Sequence, residues 1–283
     1  MDTVLAAFDL SPMGRRVADR AREVAEANGA SLSLVHIGEA PDVELPDEML
    51  ERIRLYRHSK AENLLVWINS RAKCDVTLKV CRGNVGVELT KMSKKADLLV
   101  TGTSSVDAIR VGPRTTRLAR KAHAPLLAVR RQSRTPYCRV IAAVDLSENS
   151  RESIHLARRL APGAEVTAVV ALPTHAEMLL SDAGVKAAAL DKLRHERMLL
   201  LEENLAKFVT DWGDEVATRV VDGPPAEAVA EFARRRHADL VVASSRGAGG
   251  SSMVLMGSVA EAMLETAPSD VAIARTPGAF RRP

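Results

Sequence analysis

The sequence is poor in cysteine and in aromatic side chains. Its three cysteines, Cys74, Cys81 and Cys138, are odd in number and show no CxxC spacing. This pattern predicts neither a disulfide framework nor a zinc site, and it favours free thiols. Aromatic residues make up 3% of the chain and the net charge is only +4. Stacking platforms for single strands are therefore scarce, and we expect no nucleic-acid partner.

Long apolar runs are missing as well. No run approaches the ~20 residues that cross a bilayer, so we expect no membrane span. The first residues carry Asp2 where a signal peptide has positive charge, and they break at Pro12. We therefore expect this stretch to be a core strand and the protein to be cytoplasmic. Apolar residues at 46% and charged residues at 27% are typical of globular proteins.

The chain contains an internal repeat. The stretch VLAAFDLSPMGRRVADRAREVA, from Val4, returns as VIAAVDLSENSRESIHLARRLA, from Val140. Likewise ADLLVTG, from Ala96, returns as ADLVVAS, from Ala238. A length of 283 residues also suits two domains. We therefore predict two copies of one domain, residues 1–135 and 136–283, joined near Pro136.

Each copy alternates short apolar runs with longer segments of helical period. The predicted strands are 3–8, 31–37, 75–81, 98–101 and 126–129 in the first copy, and 139–144, 165–171, 215–221, 240–243 and 271–274 in the second. The predicted helices include 13–28, 47–71, 182–211 and 225–236. Strand and helix alternating in this way predict right-handed crossovers and parallel sheets. The expected fold class is α/β, with two tandem doubly wound domains of five parallel strands each.

Polar residues follow the first strand of each copy. In doubly wound sheets a ligand binds beyond the carboxyl ends of the strands, where the winding direction reverses. Asp9 and Asp145 occupy this place. The Asp145 carboxylate could accept hydrogen bonds from ribose hydroxyls or an adenine amine. Alternatively, Asp145 or Ser147 only caps the helix that begins near Glu148, and the sequence leaves both readings open.

A loop rich in glycine and serine, SSRGAGGSSMVLMGSVAE, follows the fourth strand of the second copy. Its glycines permit positive φ and close approach of the backbone to a ligand. Gly257 and Ser258 open a helix whose free N–H groups favour an anion, and Arg246 could meet a phosphate. The alternative is a connector in which Ser258 is an ordinary N-cap.

These residues resemble the universal stress protein family over nearly the whole chain. Its ATP-binding members carry G-x2-G-x9-G-[S/T] after the fourth strand, and Ser244, Gly247, Gly257 and Ser258 match that spacing with serine at the first position. The resemblance implies a Rossmann-like fold, related to the adenine nucleotide alpha hydrolases, that binds ATP, ADP or AMP, with magnesium as a possible companion. The base and ribose would lie near Ala142, Val144, Asp145, Val170 and Ala171, and the phosphates near Ser244, Arg246, Gly247, Gly257, Ser258 and the N–H of Val259.

The first copy departs further from that pattern. Gly102 matches the first position, but Ser105 stands at the second, and Gly112 is followed by Pro113, which has no N–H. We expect this copy to have lost its nucleotide site while keeping the fold and Asp9. The resemblance implies that the two domains pair about a pseudo-two-fold axis, and a further homodimer is possible.

Motifs for catalysis are missing from the sequence. It has no P-loop and no nucleophile elbow, so no catalytic residue is predicted and at most weak ATPase activity is expected. The SGGxDS loop of a pyrophosphatase-type enzyme is replaced by FDLSPMG and VDLSENS. No metal ligands are predicted, because none of the histidines forms an i, i+4 pair. The expected function is a stress-response protein whose stability or partner contacts depend on the nucleotide; the alternative is a nucleotide-independent interaction scaffold with both sites decayed.

Overall fold

The computed structural model describes residues 1–41, 43–103, 112–130, 136–246 and 256–275. These residues form two compact units. Among the described residues, the first comprises Met1–Pro136 and Arg159–Pro162, and the second comprises Tyr137–Arg158 and residues 163–275. Each unit corresponds to one copy of the repeat, apart from the few residues after Arg158.

The first copy is a parallel sheet with helices between its strands. Its strands are β1 (Thr3–Ala7), β2 (Ser31–Gly38), β3 (Val76–Arg82), β4 (Leu98–Gly102) and β5 (Leu126–Val129). Its described helices are α1 (Pro12–Ala27), α2 (Asp47–Asn69), α3 (Val85–Met92) and α4 (Pro113–Lys121). The strand order is β3-β2-β1-β4-β5, and the paired neighbours run parallel. The winding therefore reverses between β1 and β4.

The second copy repeats this arrangement. Its strands are β6 (Arg139–Ala143), β7 (Glu165–Leu172), β8 (Val216–Asp222), β9 (Leu240–Ser244) and β10 (Asp270–Ala274). Its described helices are α5 (Glu148–Leu160), α6 (His175–Asp182), α7 (Ala187–Phe208), α8 (Pro225–Arg235) and α9 (Ser258–Thr266). The strand order is β10-β9-β6-β7-β8, again parallel, with the reversal between β6 and β9. The predicted doubly wound α/β fold is confirmed.

The central strands are buried because helices cover both faces of each sheet. In β4 the residues Leu98, Leu99 and Val100 are fully buried, as are Leu240, Val241 and Val242 in β9. Such continuous apolar runs are typical of parallel strands covered on both sides. Each predicted strand begins and ends within one residue of its observed bounds.

The predicted helix 182–211 is wrong at its beginning. Asp182 ends α6, and α7 begins only at Ala187. Gly184 lies between them with φ of +84°, and Val185 N–H donates to the Leu180 carbonyl at 3.0 Å. This left-handed glycine ends a helix that leucine periodicity alone would continue. Within the described part of the chain, no helix has the length and apolar character to cross a membrane.

Candidate functional site

A cavity of about 810 Å³ opens at the carboxyl ends of β6, β7 and β9 in the second copy. This is the place where the winding of the sheet reverses. Its described walls come from the strand ends, from the first turn of α9 and from one face of α7. Such a volume suits a ligand of drug or nucleotide size.

Asp145 lines this cavity and follows β6 after one intervening residue, Val144. Its Oδ1 accepts hydrogen bonds from the N–H of Ser147 at 3.1 Å and from the Ser147 hydroxyl. Asp145 is also an exposed residue that lines the cavity. Asp145 is therefore compatible with both roles that the sequence left open, ligand contact and local capping. Its Oδ1 fixes the turn before α5, and the residue also lines the cavity.

The turn around Asp145 has a conformation that the first copy does not share. Leu146 has φ of +61°, which costs a leucine on the order of 1–2 kcal/mol. The buried Ser150 hydroxyl accepts from the Asp145 N–H at 3.3 Å and donates to the Ser147 carbonyl at 2.8 Å. These hydrogen bonds hold the Asp145 backbone against the start of α5 and help to fix its direction.

The loop after β9 begins with its serine in ordinary strand geometry. Ser244 pairs with Ala274 as the last residue of β9, and its hydroxyl donates to the Arg246 carbonyl at 2.6 Å. Gly257 N–H donates to the Ser245 carbonyl at 2.9 Å, which ties the two ends of the loop together. Serine in place of the family's first glycine is therefore compatible with the backbone here.

The first turn of α9 faces the cavity without a side-chain cap. Gly257 is the N-cap and Ser258 the first helical residue, and no capping hydrogen bond occurs in this described turn. The first N–H groups of a helix attract anions through hydrogen bonding and the helix dipole. Gly257 has φ of −61°, so its use is the space it leaves and not left-handed geometry.

Arginine adds positive charge at this end of the cavity. Arg246 lines the cavity, and its Nη2 is buried without a hydrogen-bond partner among the described residues. Arg275 directly follows β10. Burial, and then the charge of Arg246, lower the pKa of Arg275 to about 10. Two guanidinium groups that repel one another are stabilised by an anion between or beside them.

Another wall of the cavity is formed by α7, which the sequence indicated only as a helix covering the sheet. The cavity-lining residues of this helix are Arg197, Leu200, Leu201 and Asn204. Their i, i+3, i+4, i+7 spacing places them on one face. Leu200 is 58% exposed, so this wall offers an accessible apolar surface beside two polar side chains. The helical spacing was visible in the sequence, but nothing there indicated that the face meets a cavity and not the core.

The structure brings most of the predicted site residues to this cavity. The predicted residues that line it are Val144, Asp145, Val170, Ala171, Ser244, Arg246, Gly257, Ser258 and Val259. Ala142 is fully buried in β6 and does not line the cavity; Ala143, the next residue, does. Gly247 and the other loop glycines, Gly249 and Gly250, lie outside the described residues.

In the first copy, larger side chains occupy the corresponding strand ends. Phe8 stands where the second copy has Val144, and His36 stands where it has Val170. Both are buried, with ring centroids 5.6 Å apart. Each replaces a valine by a ring, which fills space that the second copy leaves open.

The end of β4 in the first copy is filled in the same way. A Cβ on Gly102, the counterpart of Ser244, would lie 2.7 Å from the Met13 Cγ. At the other side, Arg114 at the start of α4 forms a 2.9 Å ion pair with Glu39, the residue after β2. The first copy thus closes its strand ends with its own side chains.

Comparison with known proteins gives a consistent result. The model of the universal stress protein family matches residues 1–130 and again 136–275. The chain is 29% identical over 143 residues to a universal stress protein of Methanocaldococcus jannaschii, covering 50% of this chain and 84% of that one. It is 27% identical over 219 residues to one of Mycobacterium tuberculosis, covering 74% and 68%.

Solved structures show the same fold. A universal stress protein from Archaeoglobus fulgidus superimposes with a TM-score of 0.67 at 18% identity, covering 96% of this chain and 98% of that chain. A protein of unknown function from Pseudomonas aeruginosa gives 0.66 at 18% identity, covering 97% and 92%. The two family matches span nearly all of the described residues. The chain therefore belongs to the universal stress protein family, with two family domains in tandem.

Proposed function

We propose that the second domain binds an adenine nucleotide, ATP or its di- or monophosphate, and that the bound nucleotide controls the stability or the partner contacts of a stress-response protein. The observation that carries this proposal is the cavity lined by the uncapped start of α9, by one face of α7 and by Asp145. It combines an anion-binding helix start with apolar side chains of β7 and α7. A nucleotide likewise combines charged phosphates with a largely apolar base.

Each end of the nucleotide has a matching group. Arg246, the Ser258 hydroxyl and the first N–H groups of α9 would hold the phosphates. Asp145 would accept from a ribose hydroxyl, and Val144, Val170 and Ala171 would contact the base. Because hydrogen bonds to charged groups contribute about 1.5–3 kcal/mol each, the phosphate end would supply much of the affinity.

The proposal is binding and not catalysis. Asp145 is the only carboxylate among the described lining residues, and no histidine or cysteine is found there. A general base must lie within hydrogen-bond reach of the reacting group. Magnesium is usually held by one or two carboxylates together with the phosphates of its nucleotide, and Asp145 could supply one of these.

Three further statements belong to this proposal. We propose domain boundaries of 1–135 and 136–283 and a cytoplasmic location. From the family resemblance alone, we propose that the two domains pair and that the chain can form a homodimer. We expect neither nucleic acid nor a membrane as a partner, because the charge of +4 is mild for 283 residues.

Calorimetry with ATP and magnesium tests the proposal, together with chromatography of any nucleotide released on denaturing the purified protein. Gly257→Val should weaken ATP binding at least tenfold, because Gly257 lines the cavity where α9 begins. Gly112→Val is the matched control, since Gly112 is the N-cap of α4 in the first copy, and it should leave binding unchanged. A wild type that releases no nucleotide and binds none at millimolar ATP would favour the nucleotide-independent scaffold.

A further inference from the structure

Both copies carry an arginine at the same place on the helix after the second strand. Strand registers align the copies, with Leu32 opposite Val76 and Val166 opposite Val216. By that alignment Arg57 on α2 corresponds to Arg197 on α7. Each guanidinium donates to the carbonyl directly after its second strand: Arg57 to Glu39 at 3.0 Å, and Arg197 to Pro173 at 3.1 Å.

The two arginines differ in what lies beneath them. In the first copy the guanidinium covers the end of β2, since a Cβ on Gly38 would be 2.6 Å from the Arg57 Nη1. The second copy has Leu172 at this position, and its side chain lines the cavity. The Leu172 side chain therefore prevents Arg197 from taking the position that Arg57 has in the first copy.

The second copy also has an additional element here. The segment between the second strand and the long helix is six residues longer than in the first copy, since Gly38 is followed by a helix at Asp47 and Leu172 by one at Ala187. The extra length forms α6, which supplies Glu177. Glu177 pairs with the Arg197 guanidinium at the rim of the cavity.

The Glu177–Arg197 ion pair is not expected to contribute much to the free energy of folding. Glu177 is only 9% exposed, and its Oε2 has no hydrogen-bond partner among the described residues. Burying a carboxylate with an unsatisfied oxygen carries a desolvation cost that an ion pair does not reliably offset. A positional role for Glu177 accounts for keeping such a pair beside a cavity.

We propose that Glu177 and Leu172 together keep the base end of the second-domain cavity open by holding the Arg197 guanidinium at the rim. The first copy, which has neither residue, shows the closed alternative, with Arg57 lying on the strand end. Glu177 is thus a positioning residue that acts through Arg197. This inference rests on the proposed nucleotide site for its affinity test, but the position of the guanidinium can be tested without any ligand.

A double-mutant cycle measured by calorimetry with ATP and magnesium tests the inference. Glu177→Ala should weaken ATP binding about tenfold, because the released guanidinium enters the cavity. In an Arg197→Met background the same substitution should change affinity less than threefold. Arg197→Met alone should bind ATP at least as tightly as wild type. Asp222→Ala is the control, since it breaks the 2.9 Å ion pair between Arg194 on the same helix and Asp222 at the end of β8; neither residue lines the cavity, and the substitution should have no effect.

The outcomes separate this inference from the proposed function. If Glu177→Ala binds like wild type, or Arg197→Met itself loses tenfold, the positioning role is wrong while nucleotide binding stands. If wild type binds no ATP, nucleotide binding fails, and crystal structures of the Glu177→Ala variant decide the inference. They should show the Arg197 guanidinium moved over the end of β7 towards Val170 and Ala171; a guanidinium that keeps its wild-type position would overturn it.

Discussion

The two copies differ at one position on the helix that follows the first strand. Gly14 on α1 corresponds to Ser150 on α5, 136 residues later. A Cβ on Gly14 would lie 1.9 Å from the Asp9 carbonyl oxygen, whereas Ser150 has a side chain and uses it to bond the Asp145 backbone. The carbonyl of Asp9 fills the space that a side chain takes in the second copy. Leu146 accordingly adopts φ of +61°.

Gly14→Ala should destabilise the protein although alanine is the better helix former. Helix propensity favours alanine over glycine by about 1 kcal/mol, but overlap with a backbone oxygen forces a shift costing about 1–3 kcal/mol beyond that gain. Urea unfolding at neutral pH measures the change. Gly86→Ala is the control, because a Cβ there would meet only the Asn84 Oδ1, at 3.4 Å, and stability should hold or rise. Equal effects of the two variants would contradict the close contact at Gly14.

His36 gives the first copy a dependence on pH. Burial lowers the pKa of His36. A hydrogen bond with the Phe8 carbonyl opposes this effect, and the positive charge of Arg57 adds to it. Well above pH ~6.5, the ordinary histidine pKa, the ring is neutral in both the folded and the unfolded chain. As the pH falls below that value the unfolded chain binds the proton first, so stability is lost on the acidic side.

His36→Val, which installs the residue found in the second copy, should flatten this dependence. Thermal unfolding at pH 7.5 and pH 5.5 measures it, and the loss of stability between the two values should be smaller in the variant. Each unit of difference in pKa corresponds to about 1.4 kcal/mol. His195→Gln, at an exposed position on α7, is the control and should keep the wild-type slope. If His36→Val lost as much stability between pH 7.5 and pH 5.5 as the wild type, groups other than His36 would be responsible for the loss at acidic pH.

At the scale of elements, the helices after the fourth strand distinguish an open site from a closed one. Both α4 and α9 follow a glycine N-cap without a side-chain cap. α4 begins with Pro113, which has no N–H to offer, and α9 begins with Ser258. Both helices therefore begin after a glycine in the same way. Only α9, however, has an N–H and a side-chain hydroxyl at its first residue.

Ser258→Pro should weaken ATP binding without breaking α9. Proline is well tolerated at the first helical position, so the helix should persist. The loss of the serine hydroxyl and of one N–H near a phosphate should cost about 1.5–3 kcal/mol, roughly tenfold to a hundredfold in affinity. Calorimetry measures affinity, and circular dichroism checks the helix content. In the first copy, Pro113→Ser should not create a site, because Phe8 and His36 still fill the strand ends; a gain of binding there would contradict that account.

At the scale of the whole molecule, one fold is used twice with different results. The two copies share the strand order, the alternation of strands and helices apart from the additional α6, and the aspartate after the first strand. Only the second combines small side chains at the strand ends with a serine at the start of its last helix. We therefore expect one nucleotide per chain.

Hydrogen exchange with and without ATP should locate that nucleotide. Added ATP should raise protection at the strand ends 143–146, 170–173 and 243–246 and in the first turn of α9. The corresponding peptides of the first copy, 7–10 and 36–39, should change little. Saturation at a hundred times Kd stabilises the bound state by about 2.7 kcal/mol, which makes the contrast measurable. Equal protection in both copies would contradict the closed first site.

The sequence by itself determined the repeat, the five parallel strands of each copy and most of the cavity-lining strand ends. Apolar runs and repeated motifs are local signals, and they predicted strands to within a residue and placed Asp145, Arg246 and Gly257 on the same edge of the sheet. The sequence did not predict the break between α6 and α7, because the leucine spacing continues across Gly184. The left-handed backbone of Gly184 interrupts the helix there. Only the tertiary structure decided that one face of α7 meets a cavity and that Glu177 lies on Arg197. It also decided that Phe8, His36 and Arg57 close the first copy, because these contacts join residues far apart in the chain.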